Sequence, residues 1–265
     1  MKTITSLGNP VVKSLRGLHE RKSRRRSGLF LAEGTRIVTE ALALGWQPRH
    51  LVFLAGREED PILAPLLKRA AALGAELVAV NAAVLGKISR KDNPQMLLGS
   101  FAERYAEPEK LAKAGGCLIG LDRVRDPGNL GTIMRTADAI GADGLILIGE
   151  TTDPFSVEAV RASMGAVFNC PLAAMDESGF ITWCRQRWHG RIIATTLQQA
   201  TDYRQADWQA PLLVLMGMEQ AGLSQPLTEI ADQRIRMPMR GRSDSLNLAV
   251  ASGVVLYEYL RHNKP

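Results

Sequence analysis

The sequence predicts an α/β protein built in two parts. Short apolar runs alternate with stretches of helical period along most of the chain. The alternation breaks once, at Glu103 to Gly116, a charged stretch that carries Pro108 and ends in Gly115-Gly116. Charge divides there too: residues 1–115 hold 19 Lys and Arg against 11 Asp and Glu, whereas residues 116–265 hold 14 against 16. We therefore expect residues 1–102 to form a small α/β sandwich, 103–116 a linker and 117–265 a second α/β domain.

In the front part, a turn at Gly8-Asn9-Pro10 precedes Val11, Leu15 and Leu18, which stand at helical spacing. Leu29 to Ala32 reads as a buried strand, and Ile37, Ala41 and Leu44 mark a helix running up to Gly45. Leu51 to Ala55, Glu76 to Val80 and Met96 to Phe101 are further strands, separated by helices at Ile62 to Leu73 and Ala82 to Ile88. Between Lys13 and Arg26 lie seven cations, Lys13, Arg16, Arg21, Lys22, Arg24, Arg25 and Arg26, with one acid, Glu20. Such a density suits a phosphate backbone, although a solvated helix face is the commoner fate of a charge run.

The back part opens with a strand at Cys117 to Leu121 and continues through a helix at Leu130 to Ile140, a strand at Gly144 to Ile148 and a helix at Val157 to Met164. Arg191 to Thr195, Leu212 to Met216 and Arg234 to Met239 are strands, the last with Pro238 at its end. The helix that follows places Leu246, Val250, Val254 and Tyr257 on one apolar face, with Ser243, Asp244 or Ser245 as its cap and Asn247 at its start.

Three strand-to-helix corners are where chemistry can sit. In Leu121 to Gly141, Asp126-Pro127-Gly128-Asn129 makes a turn with Asn129 as helix cap. Thr132 and Arg135 then share a face of a mostly apolar helix, so Arg135, read as a buried-side arginine, needs a partner such as a phosphate. In Leu212 to Ser224, Gly217 lets backbone approach a ligand closely and Glu219 follows at the strand end. The third corner is Arg240 to Asn247, where unpaired helix-start N–H groups can hold a polar or anionic ligand. Each corner alone is equally compatible with ordinary structure: a surface cation, a first-turn acid, a plain turn.

Other chemistries lack their signatures. Cys117, Cys170 and Cys184 show neither disulfide rhythm nor zinc spacing, and His19, His50, His189 and His262 are isolated. No metal is expected, and a reducing cytosol fits. The start of the chain lacks the apolar run of a signal peptide, and no stretch approaches the roughly 20 apolar residues of a membrane span. Phosphate-loop, dinucleotide and nucleophile-elbow motifs are missing, so the residues alone leave the cofactor open.

The segments DPGNLGTIMRTADAIGA, LLVLMGMEQAGLS and RMPMRGRSDSLNLAVASGVVLYE resemble, in order and spacing, the three motifs of the SpoU family of RNA ribose 2′-O-methyltransferases. SLGNPVVKSL and LFLAEGTRIVTEAL also resemble the substrate-binding domain many members carry in front. The resemblance implies a trefoil-knotted α/β catalytic domain, S-adenosylmethionine as methyl donor, RNA as substrate with ribosomal RNA favoured over transfer RNA, and a homodimer with active sites near the subunit interface. It implies that Arg135 is similar to the catalytic arginine and Asn129 to the first-motif asparagine. Glu219 is similar to the second-motif acid, and Ser245 and Asn247 to the polar pair of the third. Gly217, Met237 and Leu246 would line the donor pocket, joined by Thr195. Met218 departs from the pattern, standing where asparagine or a small residue is expected. Two other readings remain at this point: an RNA-binding protein that kept the fold without catalysis, and an enzyme using another adenosine cofactor.

Overall fold

A computed structural model of the 265-residue chain describes residues 1–112, 115–218 and 220–263. In chain order the elements are β1 (Lys2–Ile4), α1 (Pro10–Gly17), α2 (Arg21–Ser27), β2 (Leu29–Glu33), α3 (Thr35–Ala43), β3 (Pro48–Leu54), α4 (Leu63–Ala72), β4 (Glu76–Val80), α5 (Ala82–Ser89) and β5 (Leu97–Ala102). There follow α6 (Pro108–Ala112), β6 (Cys117–Asp122), α7 (Pro127–Ala139), β7 (Gly144–Ile148), α8 (Val157–Ala162), β8 (Leu172–Met175), α9 (Glu177–Arg187) and β9 (Arg191–Thr195). The chain ends with β10 (Thr201–Asp202), β11 (Leu212–Met216), α10 (Gln225–Glu229), β12 (Gln233–Arg236) and α11 (Leu248–His262). Two compact units result, one of residues 1–103 and 153–169, the other of residues 104–152 and 170–265.

The first unit is a five-stranded sheet in the order β1-β4-β3-β5-β2. Successive residues of a strand point to opposite faces, and here both faces are apolar: Val52, Val78 and Leu98 join one core with Leu15 and Leu85, while Leu51, Phe53, Ala79 and Leu97 join the other with Leu42 and Leu67. Each face is therefore covered by helices, as the expected sandwich requires.

Residues 153–169, expected to stay with the back part of the chain, pack instead in this first unit. Phe155 and Phe168 lie against Phe30 at ring separations of 4.9 and 5.7 Å, and the Trp46 indole N–H donates to the Phe168 carbonyl at 2.8 Å. The expected linker likewise has structure of its own in α6, whose Leu111 is buried.

The basic run lies on α1 and α2, with Lys13, Arg16, Arg21, Lys22, Arg25 and Arg26 exposed. Arg24 does not share that surface. Only 3 % exposed, it donates to Asp153 at 3.0 and 2.6 Å and to the carbonyls of Leu18 and His19, so its charge is spent inside the unit. His19 adds no charge either: burial lowers its pKa below the ordinary histidine value, and its Nε2–H donates to the Ile88 carbonyl at 2.8 Å.

The second unit is a seven-stranded sheet in the order β10-β12-β9-β11-β6-β7-β8, parallel throughout. Its core gathers Leu118, Ile146, Phe180, Trp183, Leu213 and Leu215. Strand β8 and helix α9 were not announced by the apolar pattern. In α11 the buried residues are Leu248, Ala249, Ala251, Ser252, Val255, Leu256 and Tyr259; the expected core stripe is the other face, with Val250 54 %, Val254 36 % and Tyr257 55 % exposed. Among the described residues no helix is long and apolar enough to cross a membrane.

The Arg24–Asp153 pair generates a prediction. Arg24→Met leaves a mostly buried carboxylate without its cation and should destabilise the protein by about 3–5 kcal/mol in denaturant unfolding. Adding Asp153→Leu should recover part of that loss.

Candidate active site

Four parallel strands of the second unit end side by side. Registers of Met216 with Leu121, Leu215 with Ala194 and Ile235 with Thr195 bring the carboxyl ends of β6, β11, β9 and β12 to one edge of the sheet. The chain steps outward from β6 through β7 to β8, then returns to build β9, β11 and β12 on the other side, so β6 and β11 flank the point where strand order reverses. Ligands of parallel sheets gather at such a place.

The loop after β11 is fixed at both ends. A Cβ on Gly217 would lie 2.1 Å from Gly222 C and Leu223 N, so only glycine fits. What approaches Gly217 is thus the chain's own backbone, and Gly217 lines neither cavity described below. The Gly222 N–H donates to the Met218 carbonyl at 2.9 Å, closing the loop. At its far end the Ser224 N–H donates to Asp122 Oδ2 at 3.0 Å. Asp122 is 1 % exposed and is neutralised by the guanidinium of Arg123 at 2.7 and 2.8 Å. Arg123 takes φ of 49°, a left-handed conformation uncommon for a residue with a Cβ.

Beside this loop lies a cavity of about 1030 Å³. Thr195, Met237, Ser245 and Leu246 all line it, together with Met218 and Gln220 from the loop. The Thr195 hydroxyl donates to the Leu215 carbonyl at 3.0 Å, tying β9 to β11. Ser245 donates to Asp244 Oδ1 at 3.2 Å.

A second cavity, of about 520 Å³, is lined by Arg125, Asp126, Asn129, Met218, Gln220 and Asn247. Met218 and Gln220 wall both spaces, which makes them neighbours. Asn247 caps α11: its Oδ1 accepts from the Ala249 and Val250 N–H groups at 2.9 and 3.3 Å. With the oxygen so engaged, its Nδ2 donates to Asn129 Oδ1 at 2.9 Å, across 118 residues of sequence. The cap of α7, however, is Asp126 and not Asn129. Asp126 Oδ1 accepts the Asn129 N–H at 2.6 Å, and Pro127 takes the first helical position, where its missing donor is no loss.

The remaining expected residues fall elsewhere. Arg135 is exposed and lines neither cavity; Ile133, Met134 and Ala137 take the buried side of α7, so the reading of Arg135 as a buried-side arginine is corrected. Glu219 lies outside the described residues. Sequence reasoning missed Arg125, Gln220 and Asp122. An acid at the last position of a strand was the available signal for Asp122.

The family model described as SpoU rRNA Methylase family matches residues 116–257, and that of the MRM3-like substrate binding domain matches residues 9–99. An uncharacterized tRNA/rRNA methyltransferase of Synechocystis is 35 % identical, with 98 % of this chain and 93 % of that protein aligned. The 23S rRNA (guanosine(2553)-2'-O)-methyltransferase RlmP of Bacillus subtilis is 30 % identical over 97 % of this chain and 98 % of its own length. The crystal structure of AdoMet-bound rRNA methyltransferase from Sinorhizobium meliloti superposes with a TM-score of 0.91 at 46 % identity, covering 98 % of this chain and 97 % of that one. A match that spans more than half of the residues, on the unit whose strand ends build these two cavities, means that the chain belongs to the SpoU rRNA methylase family.

Proposed function

We propose that this protein transfers the methyl group of S-adenosylmethionine to a ribose 2′-oxygen in RNA, with ribosomal RNA as the substrate class. The observation that carries the reading is the Asn247–Asn129 hydrogen bond, which brings two distant motifs together at a cavity sharing walls with a larger one. The larger cavity fits the donor. Met218, Met237 and Leu246 offer apolar surface to an adenine ring, and Thr195, Gln220 and nearby main chain offer neutral polar groups. S-adenosylmethionine supplies, when bound, a methyl group on a positively charged sulfur.

The protein's part is orientation. The smaller cavity holds the ribose, and the Asn129 and Asn247 amides fix its hydroxyls relative to the neighbouring space. Arginine stays protonated at neutral pH and is no free base. Arg135 instead sets an RNA phosphate in place and stabilises the negative charge that develops on the 2′-oxygen as its proton passes to solvent water.

For that, Arg135 must meet the RNA at a subunit boundary. Helix α11 packs on α7, and Val250, Val254 and Tyr257 expose an apolar stripe of three- and four-residue spacing on α11. A second copy of the chain covers this stripe, making a homodimer with Arg135 at the interface, where the family resemblance puts the active site. The same resemblance makes the back half a trefoil knot, which agrees with β11 lying inside β9 in the sheet although it follows it in sequence. The exposed cations on α1 and α2 give the first unit a surface for the RNA backbone. RNA as substrate and three free buried thiols suit the cytoplasm.

Two predictions follow from this arrangement. In methyl incorporation with labelled donor, Arg135→Ala should lower turnover about a hundredfold or more while donor affinity by calorimetry stays within a few-fold; near-normal turnover of the folded variant rejects the role. Val254→Glu should sediment as a monomer and lose methyl transfer, and an active monomer rejects the dimer.

A further inference from the structure

Arg125 is held in an unusual position. On one side Val124 is fully buried and its carbonyl accepts the Thr152 N–H at 2.7 Å. On the other, Asp126 is committed as the cap of α7, with Pro127 behind it. The backbone at residue 125 is thus anchored before and after, and the side chain is exposed at the wall of the smaller cavity, beside Asn129, Asn247 and Gln220. Among the described residues it makes no hydrogen bond or ion pair, unlike Arg123 two positions earlier, which is spent on Asp122. Among the described residues of this wall the acid, Asp126, already accepts a backbone N–H, and the polar side chains beside Arg125 are otherwise neutral amides.

We propose that Arg125 is a positioning residue for the substrate, donating to the phosphodiester that flanks the ribose to be methylated. A guanidinium presents paired donors that match two phosphate oxygens, and the anchored backbone fixes the place on the cavity wall from which this one reaches. The neutral amides beside it suit sugar hydroxyls, so one cavity reads a ribose and its phosphate together. This role is separate from that of Arg135, which stands on the exposed face of α7 and lines neither cavity. The inference rests on the methyl-transfer reading.

The test uses the full-length protein, labelled S-adenosylmethionine and ribosomal RNA purified from a strain lacking the protein. Arg125→Ala should raise KM for RNA about tenfold and flatten the logarithmic salt dependence of RNA binding by about one. Its kcat at saturating RNA, donor affinity and melting temperature should change little. Arg125→Lys, which keeps the charge but not the paired donors, should restore the salt slope and only part of KM, and Arg125→Gln should restore neither. Unchanged KM and slope overturn the proposal, as does a fall in kcat alone. A wild-type protein that methylates no ribose in this RNA takes down the methyl-transfer reading and this one with it, whereas an active wild type matched by Arg125→Ala takes down only this one.

Discussion

One primary amide holds the site together. The Asn247 oxygen closes the first turn of α11, which leaves its nitrogen with a single direction to point, toward Asn129. A helix start needs an acceptor and a ribose pocket needs oriented amides, and one side chain meets both requirements. Because the cap fixes the flip state of Asn247, it also fixes that Asn247 meets Asn129 as a donor. The smaller cavity therefore takes its chemistry from a helix-capping rule that acts 118 residues away in sequence.

The loop that walls both cavities is held by backbone packing at one end and by one buried carboxylate at the other. Gly217 yields to the Gly222–Leu223 peptide, and Asp122 grips Ser224 from beneath, so the wall shared by the two cavities is set by main chain. Met218, which departs from the family pattern, sits on that shared wall. Its apolar side chain can serve the larger cavity without disturbing the hydrogen bonds that hold the loop. In the first unit the corresponding constraint is electrostatic: Asp153 draws one arginine of a basic run inward, and the rest of the run is left facing solvent.

Much of this was legible from residue order. Five-residue apolar runs such as Gly144–Ile148 and Leu212–Met216 announced buried strands, and the polar turn at Ser243–Ser245 announced a helix start, although the cap proves to be Asn247 and none of those three. What escaped has physical causes. Asp126 and Asn129 are both good caps, and only Pro127, suited to the first helical position, separates them. Helix α11 is apolar nearly all round, so periodicity found a face but not the buried one. Arg24 looks like its neighbours, and its burial is dictated by Asp153, a partner 129 residues away. Helix α9 mixes Phe180 and Trp183 with Arg185, Gln186 and Arg187 and lacks a clean apolar stripe.

The central claim is that the Asn247 nitrogen, and not merely its capping oxygen, organises the acceptor site. Asn247→Asp separates the two, because a carboxylate still accepts the Ala249 and Val250 N–H groups and suits a helix N-terminus, yet offers Asn129 no donor. Methyl transfer to ribosomal RNA by this variant, measured beside its melting temperature, is the most direct test. The account predicts unchanged thermal stability with methyl transfer reduced about tenfold or more, the loss expected from one amide hydrogen bond at a reacting centre. Full activity in the stable variant would contradict it.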